Sequence, residues 1–390
     1  MAPAWVIIIS AVVAFAATLW IHPYVLELAK RKHITDDPDA RKLQRSPVPV
    51  LGGLAVFFGI LTGLLAALCL FDCCELFFIL LAGGIMLFIG SVDDILGLSP
   101  GIRFAVEILI SLLIIFGGHF VIDDFHGVLN IHQISPWVAV PLTVLTIVGI
   151  VNAINLIDGV DGLCSGFCIV ASILFGCVFA SSGDWSWALL AFICAGALFP
   201  FFLHNVFGSK SHIYIGDGGT LLMGTILAAF VIAVLHSGSH ASQLLVARPG
   251  LSLIAMVLAF LAEPVADCLR VMGWRLAKGL SPFKPDRTHL HHLFIDARFS
   301  HLFTTFAIIA FNLIVVGVWY LSYRLGVGKG WQVAVVIVMG LIVTQGFYAW
   351  MATERKKDSR TYRRFVWVGI HTHFKRSGFW RRMRNLMDRI

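Results

Sequence analysis

Charged side chains are scarce in this sequence. They make up 13% of its 390 residues, about half of the roughly 25% usual in soluble proteins, and no stretch is polar enough to form a separate soluble domain. Cysteines paired at metal-site spacing are also lacking. Cys69, Cys73, Cys74, Cys164, Cys168, Cys177, Cys194 and Cys268 lie within or beside apolar runs, which reads as thiols inside a membrane. The adjacent Cys73 and Cys74 carry a minor redox alternative. The first residues show no basic n-region and no small-residue cleavage site, so the N-terminal run is expected to be a retained span. No internal repeat or low-complexity linker interrupts the chain.

What the chain does have is apolar length: 58% of it is hydrophobic. Runs long enough to cross a hydrocarbon core of about 30 Å recur throughout. They fall at about 4–29, 50–71, 76–92, 103–122, 136–152, 163–181, 185–204, 217–236, 250–271, 302–323 and 332–352. The third and fifth are short enough to be tilted or partly interfacial. The expected fold class is an all-α polytopic membrane protein with about 11 transmembrane helices. Residues 1–352 form the membrane-embedded domain and 353–390 a basic, aromatic tail.

An odd number of crossings puts the termini on opposite sides. Of the 29 Lys and Arg, 26 fall on the side of the tail, and only Arg248, Arg324 and Lys329 fall on the other. The positive-inside rule then makes the tail cytoplasmic and leaves the N-terminus outside. The formal charge of +7 thus reports orientation rather than nucleic-acid binding. The tail interleaves its basic residues with Phe365, Trp367, Phe374, Phe379 and Trp380, which suits an anionic lipid surface and equally a solvated tail that enforces topology.

Acidic residues are costly near a bilayer, so their positions are informative. Asp93 and Asp94 follow the third span in SVDDILGLSP. Asn152, Asn155, Asp158 and Asp161 follow the fifth in NAINLIDGVDGL, and Asp217 opens the eighth in YIGDGGTLLMG. The spacing of three places successive groups near one face of a helical turn. Taken singly, the pair reads as a solvated cap, DGVDG as a turn and Asp217 as a helix cap. Taken together, they all emerge on the face chosen by Lys and Arg counting, which points to a functional site. Carboxylates and an amide oxygen are hard ligands of the kind Mg²⁺ takes, one or two at a time alongside substrate phosphates.

A fourth cluster lies in KGLSPFKPDRTHLHHLF, where Lys284, Arg287, His289, His291 and His292 crowd together. These donors suit phosphate oxygens. Zinc is the weaker alternative, because this loop offers no Cys to complete a fourfold set and its basic neighbours repel a cation. The first cytoplasmic loop supplies Lys42. Glu107, Glu263 and Asp267 lie in or near spans and read equally as site groups or as helix-to-helix pairs.

These segments resemble the polyprenyl-phosphate N-acetylhexosamine-1-phosphate transferase family (MraY/WecA-like), from about residue 30 to 300. SPFKPDRTHLHHLF is most similar to the branch that makes undecaprenyl-diphosphate-GlcNAc, with Leu290 where another branch has a further histidine. The resemblance implies Asp217 as the principal Mg²⁺ ligand with Asn155 beside it, Mn²⁺ being a substitute. Asp93 and Asp94 match paired aspartates linked to lipid-phosphate activation or metal binding. Tyr214 matches an aromatic position that stacks on uracil. Asp161 and Asp158 belong to the uridine pocket, Lys42 and Arg103 lie near nucleotide and phosphates, and Arg287, His289, His291 and His292 near diphosphate and sugar. Gly97 departs from the family, which often has Asp or Asn there, so a third ligand in that cluster is unsupported.

The implied reaction is attack of undecaprenyl phosphate on the β-phosphorus of a UDP-sugar, releasing UMP and starting a lipid-linked polysaccharide of the O-antigen or common-antigen type. UDP-GlcNAc is the first choice of donor, followed by UDP-linked di-deoxy amino sugars and UDP-MurNAc-pentapeptide. The partners are then a UDP-sugar, undecaprenyl phosphate and the lipid bilayer, with a homodimer allowed and no nucleic acid. A transporter would show midplane charge and paired repeats, which this chain lacks. A scaffold that had lost activity would not need intact acidic clusters.

Overall fold

The computed structural model of the chain describes residues 4–36, 47–69, 73–279, 288–373 and 378–389. It is an all-α polytopic membrane protein. The helices are α1 (Ala4–Arg31), α2 (Gly52–Leu68), α3 (Phe77–Leu96), α4 (Pro100–Leu112), α5 (Pro136–Leu156), α6 (Leu163–Ser181), α7 (Trp185–Phe207), α8 (Gly216–Leu235), α9 (His240–Val246), α10 (Leu253–Phe260), α11 (Ala262–Ala277), α12 (Leu290–Asp296), α13 (His301–Arg324), α14 (Lys329–Leu341), α15 (Phe347–Lys356), α16 (Arg360–His371) and α17 (Gly378–Met387). A π turn extends α4 to Gly117, and another joins α14 to α15.

Counted through those turns, nine helices among the described residues are long and apolar enough to cross a membrane. The other two expected crossings take different forms. One is α2, with 17 residues. The other is broken at Leu261 into α10 and α11. The third and fifth helices are longer than expected, reaching Leu96 and Leu156, so Asp93, Asp94, Asn152 and Asn155 sit within final helical turns. Ending a span at its first polar residue misses a helix whose polar groups find partners on neighbouring helices.

Helix α8 forms the axis of the bundle, and every residue in it except Asp217 is buried. It packs on α2, α3, α5, α6 and α10. Small residues allow the closest approaches, as expected where helices pack in lipid without a hydrophobic drive between them. Added side-chain carbons at Gly53 and Gly90 would collide with the Gly219 backbone and with the Asp217–Gly218 peptide, respectively. The outer helices expose Leu65, Phe88, Leu109 and Leu145 by more than half, a surface that suits lipid rather than water.

Two short antiparallel pairs were not anticipated: β1 (Thr35–Asp36) with β2 (Val48–Pro49), and β3 (Asp124–Val128) with β4 (Ile131–Gln133). The first of them positions part of the site. From β2 onward the chain pairs with residues 214–215: Tyr214 N donates to Pro49 O at 2.9 Å, Gly52 N to Tyr214 O at 2.9 Å and Gly53 N to Ile215 O at 2.8 Å.

Candidate active site

Gly97 adopts a left-handed conformation (φ 66°), and its amide donates to Asp93 O at 2.8 Å, so it closes α3 directly after the aspartate pair. This supplies a backbone reason for glycine where a third acid was absent. Helix α4 then starts at Ser99-Pro100, with the Ser99 hydroxyl accepting from Ile102 N and proline in the first turn, so Arg103 points back at the acids. Asp94 caps α8 from a different helix. Its carboxylate accepts from Asp217 N at 3.0 Å and Gly218 N at 3.4 Å, at the end of α8 where the helix dipole favours negative charge. Gly216 has φ 73°, and a side-chain carbon there would sit 2.5 Å from Asp94 Oδ2, which accounts for glycine before Asp217.

Arg103 is the hub of this group. Its guanidinium lies 3.7 Å from Asp93, 3.8 Å from Asp217 and 3.3 Å from Glu107, and donates to Asn152 Oδ1 at 3.2 Å and Asn155 Oδ1 at 2.9 Å. Asn152 in turn donates to Glu107 Oε2 at 2.6 Å, so Glu107 is a buried helix-to-helix partner that braces the hub. Asn155 Nδ2 donates to Asp217 Oδ1 at 2.8 Å and to Thr220 Oγ1 at 2.8 Å. Asp93 accepts from Leu98 N at 2.6 Å. Of the two aspartates beside Arg103, Asp217 is the open one, with 38% of its side chain exposed against 14% for Asp93.

Asp93, Asp94 and Asp217 face a cavity of about 460 Å³ lined by six aspartates, the others being Asp36, Asp158 and Asp161. Tyr214, Asn205, His292 and His301 complete its polar wall. The turn after α5 holds two carboxyls with opposite tendencies. Asp158 is pushed up to about 8 by burial and then by Asp217, Asp94, Asp161 and Asp36. Burial would raise Asp161 too, but hydrogen bonds from His212 and His301 outweigh it and hold this carboxyl far below its usual range. His301 Nδ1 lies 2.7 Å from Asp161 Oδ2, and His212 Nε2 lies 3.5 Å from Oδ1. One turn therefore offers a neutral acid and a firm carboxylate side by side. Burial also pushes the Tyr214 phenol upward.

The histidine loop divides its labour. His292 lines the cavity. His289 is buried, its Nδ1 2.8 Å from Asp267 Oδ2, while Asp267 Oδ1 takes Arg270 at 2.6 Å. His291 is wedged against Gly159, where any side-chain carbon would collide with its ring. Burial and then His292 and His289 push His291 well below its ordinary value, so it is neutral near pH 7. Lys42 and Arg287 lie outside the described residues, as does Lys284. Cys69, Cys164, Cys168, Cys177, Cys194 and Cys268 are free thiols.

The fit to Mg²⁺ rests on these donors. The cavity's six carboxylates are all oxygen ligands, and the Asp217 carboxylate turns toward open space. Among the described residues no three His, Cys, Asp or Glu side chains converge into a ready-made cage. Mg²⁺ asks for no such cage, because it keeps waters and takes one or two carboxylates with substrate phosphates. Asp217 and Asn155 stand together as expected, although the Asn155 oxygen is taken by Arg103 and its amide nitrogen orients Asp217.

Four residues near the site were not singled out as site groups from the sequence: Asp36, His212, Asn205 and His301. Asp36 carried a signal, an acidic loop of composition DDPDA. His301 lies just before the expected span at 302–323. Asp267, left open as a site group or a helix pair, proves to be the partner of His289.

Comparison with known proteins agrees with this arrangement. The family model described as glycosyl transferase family 4 matches residues 76–235, the stretch that carries both aspartate pairs, Asn155 and Asp217. A Pasteurella multocida protein named undecaprenyl-phosphate alpha-N-acetylglucosaminyl 1-phosphate transferase is 31% identical over 309 residues, covering 77% of this chain and 82% of its own length. Proteins with the same name from Salmonella typhi (29% identity; 68% of this chain and 70% of the relative) and Escherichia coli K12 (26%; 71% and 73%) are similar as well. With the acidic cavity and its histidine loop set beside relatives of that length and identity, the chain belongs to the polyprenyl-phosphate N-acetylhexosamine-1-phosphate transferase family.

Proposed function

We propose that this protein transfers GlcNAc-1-phosphate from UDP-GlcNAc to undecaprenyl phosphate, releasing UMP. The observation that carries the reading is the convergence of six aspartates from separate segments on one cavity, with His292 and Tyr214 in its wall and Arg103 3.8 Å from Asp217. So many carboxyl groups in one place suit a divalent cation, and the cation in turn suits a diphosphate. The relatives' names supply the lipid and the sugar.

An oxygen of the lipid phosphate forms a bond to the β-phosphorus of the donor. The bond from that phosphorus to the bridging oxygen breaks, and UMP leaves with the electron pair. When bound, Mg²⁺ neutralises diphosphate charge. Asp217 would hold it, with Asn155 and Arg103 keeping that carboxylate in place. Asp94 fixes the start of α8 and therefore the position of Asp217. Asp93 anchors Arg103, a role that needs no proton transfer, since a phosphate monoester with a second pKa of about 6 is already largely ionised near neutral pH. Asp161 offers a firm acceptor and Asp158 a protonated donor to a uracil edge, with the Tyr214 ring beside them. His292, on the cavity wall, faces the charge that develops during transfer.

The Lys and Arg distribution supports a site on the cytoplasmic side of a bacterial inner membrane, with the N-terminus periplasmic. The test is UMP release by the purified protein given undecaprenyl phosphate, Mg²⁺ or Mn²⁺, and a panel of UDP-sugars. GlcNAc is expected to give the highest rate. No UMP with any donor would sink the reading.

A further inference from the structure

The carboxyl-terminal tail touches both segments that bring imidazoles to Asp161. On one side Ser300 N donates to Thr372 Oγ1 at 2.9 Å, and His373 Nε2 lies 2.9 Å from the Arg298 carbonyl. Gly369 packs so closely on Ala297 that a side-chain carbon would collide with its backbone. This junction leads into α13 and His301. On the other side, Asp388 Oδ1 accepts from the amides of Ser209, Lys210 and Ser211 at 2.9, 2.8 and 3.2 Å, and from the Ser211 hydroxyl at 3.3 Å. Trp380 packs 4.8 Å from Phe207. This is the α7–α8 loop, which continues into His212 and Tyr214.

Between the two junctions lies a second cavity of about 180 Å³ that shares Asp161 and His301 with the first and takes Thr372 and Trp380 as walls from the tail. Three consecutive amides aimed at one carboxylate oxygen form an anion nest, and bonds of this kind to an ionised acceptor are among the stronger ones. Burial alone would raise the Asp388 carboxyl, but those amides outweigh it and hold it below its ordinary value. A tail serving only to enforce topology needs Lys and Arg. An acid seated on the loop that supplies Tyr214 has no part in that task.

We infer that the tail is a clasp on the nucleotide end of the main cavity, with Asp388 a positioning residue that holds the α7–α8 loop, and through it His212 and Tyr214, in register for a uridine nucleotide. The inference rests on the proposed function, which supplies the nucleotide.

The experiment is calorimetric titration of the purified full-length protein with UDP in Mg²⁺, compared with Asp388→Asn and with deletion of residues 374–390. Losing the charged acceptor is expected to weaken UDP binding about tenfold, with the deletion at least as severe. In the UMP-release assay KM for UDP-GlcNAc should rise by the same factor, while kcat and KM for undecaprenyl phosphate stay within about twofold. A purely structural role would instead depress both substrates together, and that result overturns the clasp. Unchanged UDP affinity in both variants overturns it as well. A wild-type protein that binds no UDP removes the proposed function first, and the clasp with it.

Discussion

At the end of the bundle formed by residues 119–133 and 236–248, acids and histidines are matched locally. Asp123 accepts from Ser237 N at 2.8 Å and from its hydroxyl at 2.7 Å, with His236 Nδ1 at 3.4 Å. Asp184 caps α9 through Ala241 N at 3.2 Å. At the opposite end, six aspartates share one cavity, and Arg103 stands between two of them at nearly 4 Å. Both ends use the same residue types. A carboxylate whose lone pairs are filled by neutral local donors is a structural group, whereas carboxylates crowded together without enough donors need a ligand that brings positive charge.

The sharpest way to break this contrast is to neutralise one acid at each end. Asp217→Asn should lower turnover by about a thousandfold or more and raise the Mg²⁺ concentration needed, with expression near normal. Asp123→Asn should leave kcat within about twofold while costing about 1 kcal/mol of stability, seen as a lower Tm. Equal rate losses in the two variants would erase the distinction between the ends.

A second comparison lies within the site. Asp161→Asn removes the acceptor that two imidazoles hold ionised, so KM for the UDP-sugar should rise about a hundredfold, the scale of a lost charged hydrogen bond. An unchanged KM would remove Asp161 from the donor pocket.

The histidine loop gives effects of about tenfold, or roughly 1.4 kcal/mol of transition-state stabilisation. His292→Ala should reduce kcat by at least that much with Tm unaltered, because its ring faces the cavity. His289→Ala should lower turnover to a similar degree and Tm as well, because its ring is buried against Asp267. If only His289→Ala mattered, the assignment of the outward histidine would be wrong.

Much of this was legible in the sequence. Apolar length located each crossing helix, and charge cost marked the acids, since both signals are local. The span ends fell about four residues short at Leu96 and Leu156, because a run of residues does not show that Arg103 and Glu107 will receive Asn152 and Asn155 across helices. The imidazoles around Asp161 come from segments distant in the chain, His301 being 140 residues away. Neither spacing nor composition encodes that meeting. Likewise, HLHH gives no hint that one ring faces the cavity, one is held by Asp267 and one is pressed on Gly159.

The smallest expected effect sharpens the contrast within the turn itself. Asp158, pushed up to about 8 chiefly by burial, is protonated at pH 7, and the amide of Asn is close to it in shape and in donor capacity. Asp158→Asn should therefore keep kcat/KM within about threefold at neutral pH, in contrast to Asp161→Asn. The sign of the pH dependence follows from the direction of the shift. As pH rises through about 8, wild-type Asp158 ionises beside Asp161 and Asp217, loses its donor and adds repulsion, so wild-type kcat/KM for the UDP-sugar should fall. The Asn variant has no proton to lose and should lack that alkaline limb. Profiles of kcat/KM from pH 6 to about 9.5 for the two proteins decide the matter, since that quantity reports groups of the free enzyme. A limb that persists in the variant assigns the titration to another group.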